Sequence, residues 1–182
     1  SLAKTKYRDL DKLGLIKICE RDLPGLGEMS ANLYEHHHLA EGKNSYLDMY
    51  STFETDRMFR IPTIRIAEAQ SQHNPKVFMY QLNWDKGVFK ACHGLDIPFV
   101  FGDTQRGFGQ LLTGGCSQSA RLSETMQNSW ISFARSADPS TENTGNWPGY
   151  STLKRDVMCF DENSGVVDDP MGKIREHWKG IL

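Results

Sequence analysis

Apolar residues in this chain recur in two different rhythms, and the alternation between them outlines a mixed architecture. Ser30 to His38 reads as a short helix ending before Gly42. A longer helical stretch is predicted from Ser45 to Gln70, interrupted near Pro62, because proline removes a backbone donor and clashes with the preceding turn. Val77-Phe78-Met79-Tyr80-Gln81-Leu82 is short, β-branched and aromatic, and apolar at nearly every position. That is the signature of a buried strand rather than of a half-exposed one. Leu122, Met126, Trp130, Phe133 and Ala137 then repeat at helical spacing, so one apolar face is predicted, stopped by Asp138-Pro139. Asp156 to Asp161 contains a second short strand, placed at a sheet edge. The last helix is predicted to begin with Asp169 as N-cap and Pro170 at its first position, with Met171, Ile174, Trp178 and Ile181 as its stripe.

Between these elements the signals are weaker. The segment Tyr7 to Ile18 is mixed and its type stays open. Leu23-Pro24-Gly25-Leu26-Gly27 is punctuated as a loop. Residues 87–117 are glycine-rich with little periodicity, and read as a long loop region around the apolar patch Ile97 to Phe101. Several helices with only two convincing strands do not make an independent sheet. The strand Val77 to Leu82 calls for neighbours on both sides that the chain does not obviously supply.

Composition narrows the function classes. The 182 residues are 38% hydrophobic and 24% charged, enough apolar material for a core. A formal net charge of −2 gives no basic excess for nucleic acid. No apolar run approaches the roughly 20 residues that span a bilayer. Ser1 to Arg8 is polar and does not open as a signal peptide, which in a fragment says nothing about the parent protein. The four cysteines, Cys19, Cys92, Cys116 and Cys159, form no C-x-x-C pair. They are read as free thiols, not as a zinc or redox site, and that usage leans to a cytoplasmic over a secreted setting. His36, His37 and His38 are consecutive, so on a helix they point about 100° apart and cannot face one ion together. They are read as a solvated helix end. No metal and no cofactor is expected.

The segment Ala91-Cys92-His93-Gly94-Leu95-Asp96-Ile97-Pro98-Phe99-Val100-Phe101-Gly102 resembles the histidine motif of type-B carboxylesterases, the cholinesterase and para-nitrobenzyl esterase-like family. Four other landmarks agree in the family's order. Thr55-Asp56 with Phe59 and Pro62 resembles the upstream Asp-x-x-Phe-x-x-Pro helix. Val77 to Trp84 resembles the strand leading to the histidine loop. Trp130-Ile131-Ser132-Phe133-Ala134-Arg135 with Asp138-Pro139 resembles the segment that follows it. Trp147-Pro148-x-Tyr150 and Met158-x-Phe160-Asp161 resemble the closing strands. The likeness runs from about Leu33 onward, with residues 1–32 as a lead-in.

The resemblance implies an α/β fold: the C-terminal part of one α/β-hydrolase domain, helix-rich, with a few strands and incomplete as an independent sheet. It implies His93 as the catalytic base of a Ser–acid–His triad acting on a small-molecule carboxylic ester. Asp56, Gly94 and Asp96 are carried over as residues supporting the site, with Asp96 expected to shape the loop by bonding backbone N–H groups. Phe89, Phe99 and Phe101 are candidate pocket-lining side chains, or else core.

Serine chemistry also needs a nucleophile and an oxyanion hole. The nearest approach to a G-x-S-x-G elbow is Gly115-Cys116-Ser117-Gln118-Ser119. It lacks the second glycine and a leading strand, and follows the histidine where the fold places the elbow before it. No His-Gly-Gly-Gly segment is present. Glu41-Gly42 matches the dipeptide of the family's triad acid but lies too near His93 and lacks the preceding strand. The chain is therefore expected to be inactive alone and to complement a missing N-terminal part of the same domain. Without that part it would expose apolar surface through which it could pair with a second copy. The alternative from another class is a catalytically dead, cholinesterase-like adhesion domain, distinguished by a substituted serine in the parent's elbow.

Overall fold

A computed structural model describes residues 9–181, which divide into two compact units. Unit 1 comprises residues 9–66 with 171–181. Unit 2 comprises residues 67–170.

Unit 1 is helical. Helix α1 (Lys12–Asp22) starts where the Asp11 carboxylate accepts the Gly14 N–H at 2.8 Å, which satisfies one of the orphan donors of the first turn. The ambiguous N-terminal segment is thus helical over its second half, while Tyr7 and Arg8 lie outside the described residues. Leu15, Ile18 and Cys19 share its buried face. Helix α2 (Gly27–Ala40) is longer at both ends than the apolar pattern predicted, and Gly42 turns the chain beyond it with φ +71°.

Helix α3 (Tyr46–Thr55) is capped by Ser45 and runs without a break into a π-helical segment, Asp56–Arg60, and then helix α4 (Ile61–Ser71). This is how the chain accommodates Pro62. The wide turn carries the Ile61 N–H to the Asp56 carbonyl, so proline's effect is absorbed by one expanded turn rather than by a kink or a stop. The core joins Leu15, Ala31, Tyr34, Met49, Phe53 and Ile61 to Ile174 of the C-terminal helix, α8 (Gly172–His177), and to Trp178 just after it. That helix begins later than expected. Asp169 and Met171 both take positive φ, no side chain caps the first turn, and Pro170 belongs to the lead-in.

Unit 2 holds the sheet, in the order β1–β2–β3. Strand β1 (Met79–Leu82) pairs in parallel with β2 (Asp156–Phe160), from Met79 opposite Val157 to Leu82 opposite Phe160. Strand β3 (Gly165–Asp168) returns antiparallel on the other side of β2. The expectation of an edge position for residues 156–161 is therefore corrected: β2 is the middle strand, and four of its five residues are buried. Strand β3 was not foreseen, because only Val166 and Val167 mark it and its last two residues are exposed. Among the described residues β1 pairs with β2 alone, which leaves its second edge open.

The glycine-rich stretch is not one long loop. It contains two short helices, α5 (Asp96–Val100) and α6 (Gly107–Thr113), followed by the long α7 (Ser117–Ser136). Helix α7 buries Leu122 and Met126 beside the small Ser119, Ser123 and Ser129, and the stripe then emerges so that Phe133 is largely exposed. The core consists of Trp84, Leu95, Phe99, Leu122, Met126, Trp147, Met158 and Phe160.

A histidine turn as the candidate functional site

His93 sits in the connection between β1 and α5. The Leu95 N–H reaches the Cys92 carbonyl at 3.1 Å, closing a four-residue turn with His93 and Gly94 at its centre. Gly94 has φ +79°, the conformation that the third position of such a turn demands and that side-chain-bearing residues resist. A Cβ there would have room, with Ile97 Cδ1 at 3.7 Å, so the requirement is one of backbone conformation and not of space. The next bond, Ile97 N–H to the Gly94 carbonyl at 3.2 Å, leads directly into α5.

The turn is exposed but its flanks are fastened. His93 is exposed, while Leu95 and Phe99 are buried shortly after it. Phe99 meets Trp84 edge to face, with centroids 5.6 Å apart, and its carbonyl accepts the Ser123 hydroxyl at 2.7 Å, tying α5 to α7. Trp84 in turn donates to the Thr113 carbonyl at the end of α6. Gly87, at the start of this region, lies so close to α6 that a Cβ would fall 1.5 Å from the Leu112 carbonyl oxygen. Cys92 is half-buried against the same core, which suits a packing role.

Asp96 does not shape the loop by gathering backbone N–H groups, as the sequence suggested. Its carboxylate accepts the Tyr80 hydroxyl at 2.7 Å. The three candidate pocket aromatics part company. Phe99 belongs to the core, whereas Phe89 and Phe101 are exposed, as are Val88, Ile97, Phe108 and Leu111 in the same stretch. Asp56 belongs to unit 1, where it is buried and accepts the Tyr34 hydroxyl at 2.6 Å, with the Arg60 guanidinium also at 2.6 Å. Trp178 donates to the Tyr34 oxygen at 2.9 Å and completes the cluster. Burial pushes the Asp56 carboxyl up, against the pull of Arg60.

The remaining candidates have structural partners. Ser117 donates to the side-chain oxygen of Gln118, and Ser119 is buried and donates to the Cys116 carbonyl. Glu41 forms an ion pair with Lys43 beyond the end of α2. The three consecutive histidines are not uniformly solvated. His36 is exposed, but His38 is buried with Nε2 2.9 Å from the Thr52 hydroxyl, and burial lowers its pKa. Among the described residues no cluster could hold a metal ion, no helix is long and apolar enough to cross a membrane, and all four cysteines are free.

A parallel strand pair joined through helices places the described sheet in the α/β class, and solved carboxylesterase structures share this fold. A carboxylesterase from Geobacillus stearothermophilus superposes with a TM-score of 0.82 at 27% identity, covering 97% of this chain and 37% of that one. Residues 4–176 match the Carboxylesterase family, and the chain belongs to that family. The match extends the likeness through most of the lead-in. The para-nitrobenzyl esterase of Bacillus subtilis is 36% identical over 126 residues, which are 67% of this chain and 25% of that protein. Carboxylesterase 5A of the cat is 30% identical over 158 residues, 82% of this chain and 28% of that protein. The chain thus spans about a quarter of the length of these curated relatives.

Proposed function

We infer that this chain contributes the general base of a serine carboxylic ester hydrolase, with His93 in that role. The observation that carries the reading is the exposed imidazole on a tight, glycine-dependent turn whose flanks are locked into the core. Imidazole titrates near neutrality, so it can take the proton of a serine hydroxyl in acylation and return it to the departing alcohol. A carboxylate is needed to orient it, and backbone N–H groups to hold the tetrahedral oxyanion. The nucleophile, the triad acid and the oxyanion hole are assigned to a longer polypeptide, because Ser117 and Ser119 bond to an amide and a carbonyl rather than to an imidazole. Exposed Phe89 and Phe101 are assigned to apolar surface facing that remaining part and its small ester substrate.

Intact mass after treatment with a fluorophosphonate probe tests this reading. The isolated chain should gain no adduct, while a longer polypeptide containing it should gain one. In that polypeptide His93→Gln should lower kcat on an aryl ester on the order of 10³–10⁴-fold. A stoichiometric adduct on the isolated chain would give it its own nucleophile and end the proposal. A longer polypeptide that takes no label would favour a non-catalytic adhesion role.

A further inference from the structure

The anchors around His93 differ in kind. Leu95 and Phe99 hold the turn by apolar packing, which is non-directional and tolerates small slips. The Tyr80–Asp96 bond is directional: a phenol donating to a carboxylate at 2.7 Å. It joins the second residue of β1 to the first residue of α5, three positions after His93. Tyr80 is itself held firmly. Its ring meets Trp130 of α7 at 5.0 Å and Phe160 of β2 at 5.8 Å, and its backbone lies in register with Met158. We propose that Tyr80 is a positioning residue for the reaction. Through Asp96 it fixes the C-terminal end of the turn that presents the His93 imidazole, referencing that imidazole to the sheet. This rests on the reading of His93 as general base.

Two further observations suit this role. Burial, and then Asp96, push the Tyr80 phenol well above its usual range, so it stays protonated and remains a donor across the neutral range. The bond ties α5 directly to β1, bypassing the largely exposed residues 88–91 and His93 that connect them along the chain. The aromatic contacts place the ring, and the hydroxyl alone makes the connection. Removing the oxygen should therefore spare the packing and release the turn.

The test uses the longest active polypeptide containing this chain, with Tyr80→Phe, Asp96→Asn and the double variant. Tyr80→Phe should lower kcat about tenfold with KM within about twofold and the melting midpoint unchanged, since small misplacements of a reacting group cost rate more than binding. The double variant should be no slower than the slower single variant, because both break one link. The His93 imidazole signals in ¹H–¹⁵N spectra, assigned with His93→Gln, should move in both single variants. Kinetics of Tyr80→Phe within about twofold of the parent would overturn the proposal. So would additive losses, a loss confined to KM, or a loss that tracks a lowered melting midpoint. The two readings fail separately. A parent without ester hydrolysis sinks the esterase reading, and in that case unmoved His93 signals in Tyr80→Phe would still sink the positioning role.

Discussion

The two units treat their polar chemistry in opposite ways. Unit 1 seals it inside: Asp56, 1% exposed, is bonded to Tyr34 and Arg60, and Trp178 donates to Tyr34, within an otherwise apolar helical core. Unit 2 builds its interior from aromatics and keeps its candidate base, His93, at the surface beside exposed Phe89 and Phe101. A buried charge is tolerable only when it is paired and hydrogen-bonded, so it serves architecture. A proton-transfer group must remain reachable, so its support has to come from the backbone and from neighbours. The contrast separates a buried carboxylate bonded between helices from an exposed histidine on a turn, although the same family motif set contains both.

The largest expected effect lies in the aromatic interior. Phe99→Ala should destabilise unit 2 by about 3–5 kcal/mol through cavity formation, whereas Phe101→Ala, at a side chain 79% exposed, should change stability by less than about 0.5 kcal/mol. Urea unfolding of both variants checks the pair, and similar losses would erase the distinction between core and surface aromatics. Next comes the sealed cluster. Asp56→Ala leaves the Arg60 guanidinium without its carboxylate and should cost about 3 kcal/mol, the low end for a broken buried pair because Arg60 keeps some contact with water. Trp178 is the only tryptophan in unit 1 and bonds within this cluster, so its fluorescence should report the loss.

The smallest effect is with acid. Burial lowers the pKa values of His38 and His177 below the ordinary 6.5, and both residues belong to unit 1. The unfolded chain then binds protons more readily, so stability is full above pH 6.5 and declines as pH falls through the lowered native values. His73 and His93 of unit 2 are exposed. Melting midpoints between neutral pH and mild acid should fall, and a His38→Gln, His177→Gln variant should lose that part of the slope. An unchanged slope would mean that the buried histidines do not distinguish the units.

Much of this was legible in the residues. The apolar repeat of Leu122 and Met126, the continuous strand around Met79 to Leu82, and the His93-Gly94 motif are local signals, written within a few positions of chain. Pro62 announced an interruption, but only the helix itself shows that one π turn absorbs it. The place of residues 156–160 in the middle of the sheet was not readable. Strand order depends on partners distant in sequence, and β3 carries two valines as its whole signal. His38 looked solvated among its neighbours, and only the docking of α3 against α2 buries it on Thr52.

The sequence by itself determined the periodicity of its main elements, the His93-Gly94 motif, and the family to which the chain belongs. Those properties are local: backbone dihedrals and side-chain spacing act over one turn or one strand. Only the tertiary structure decided that Tyr80 donates to Asp96, that Phe99 is core while Phe101 is surface, and that Asp56 is locked between Tyr34 and Arg60. Each of these depends on which distant segments meet, and a contact between distant segments leaves no periodic trace in the residues that make it.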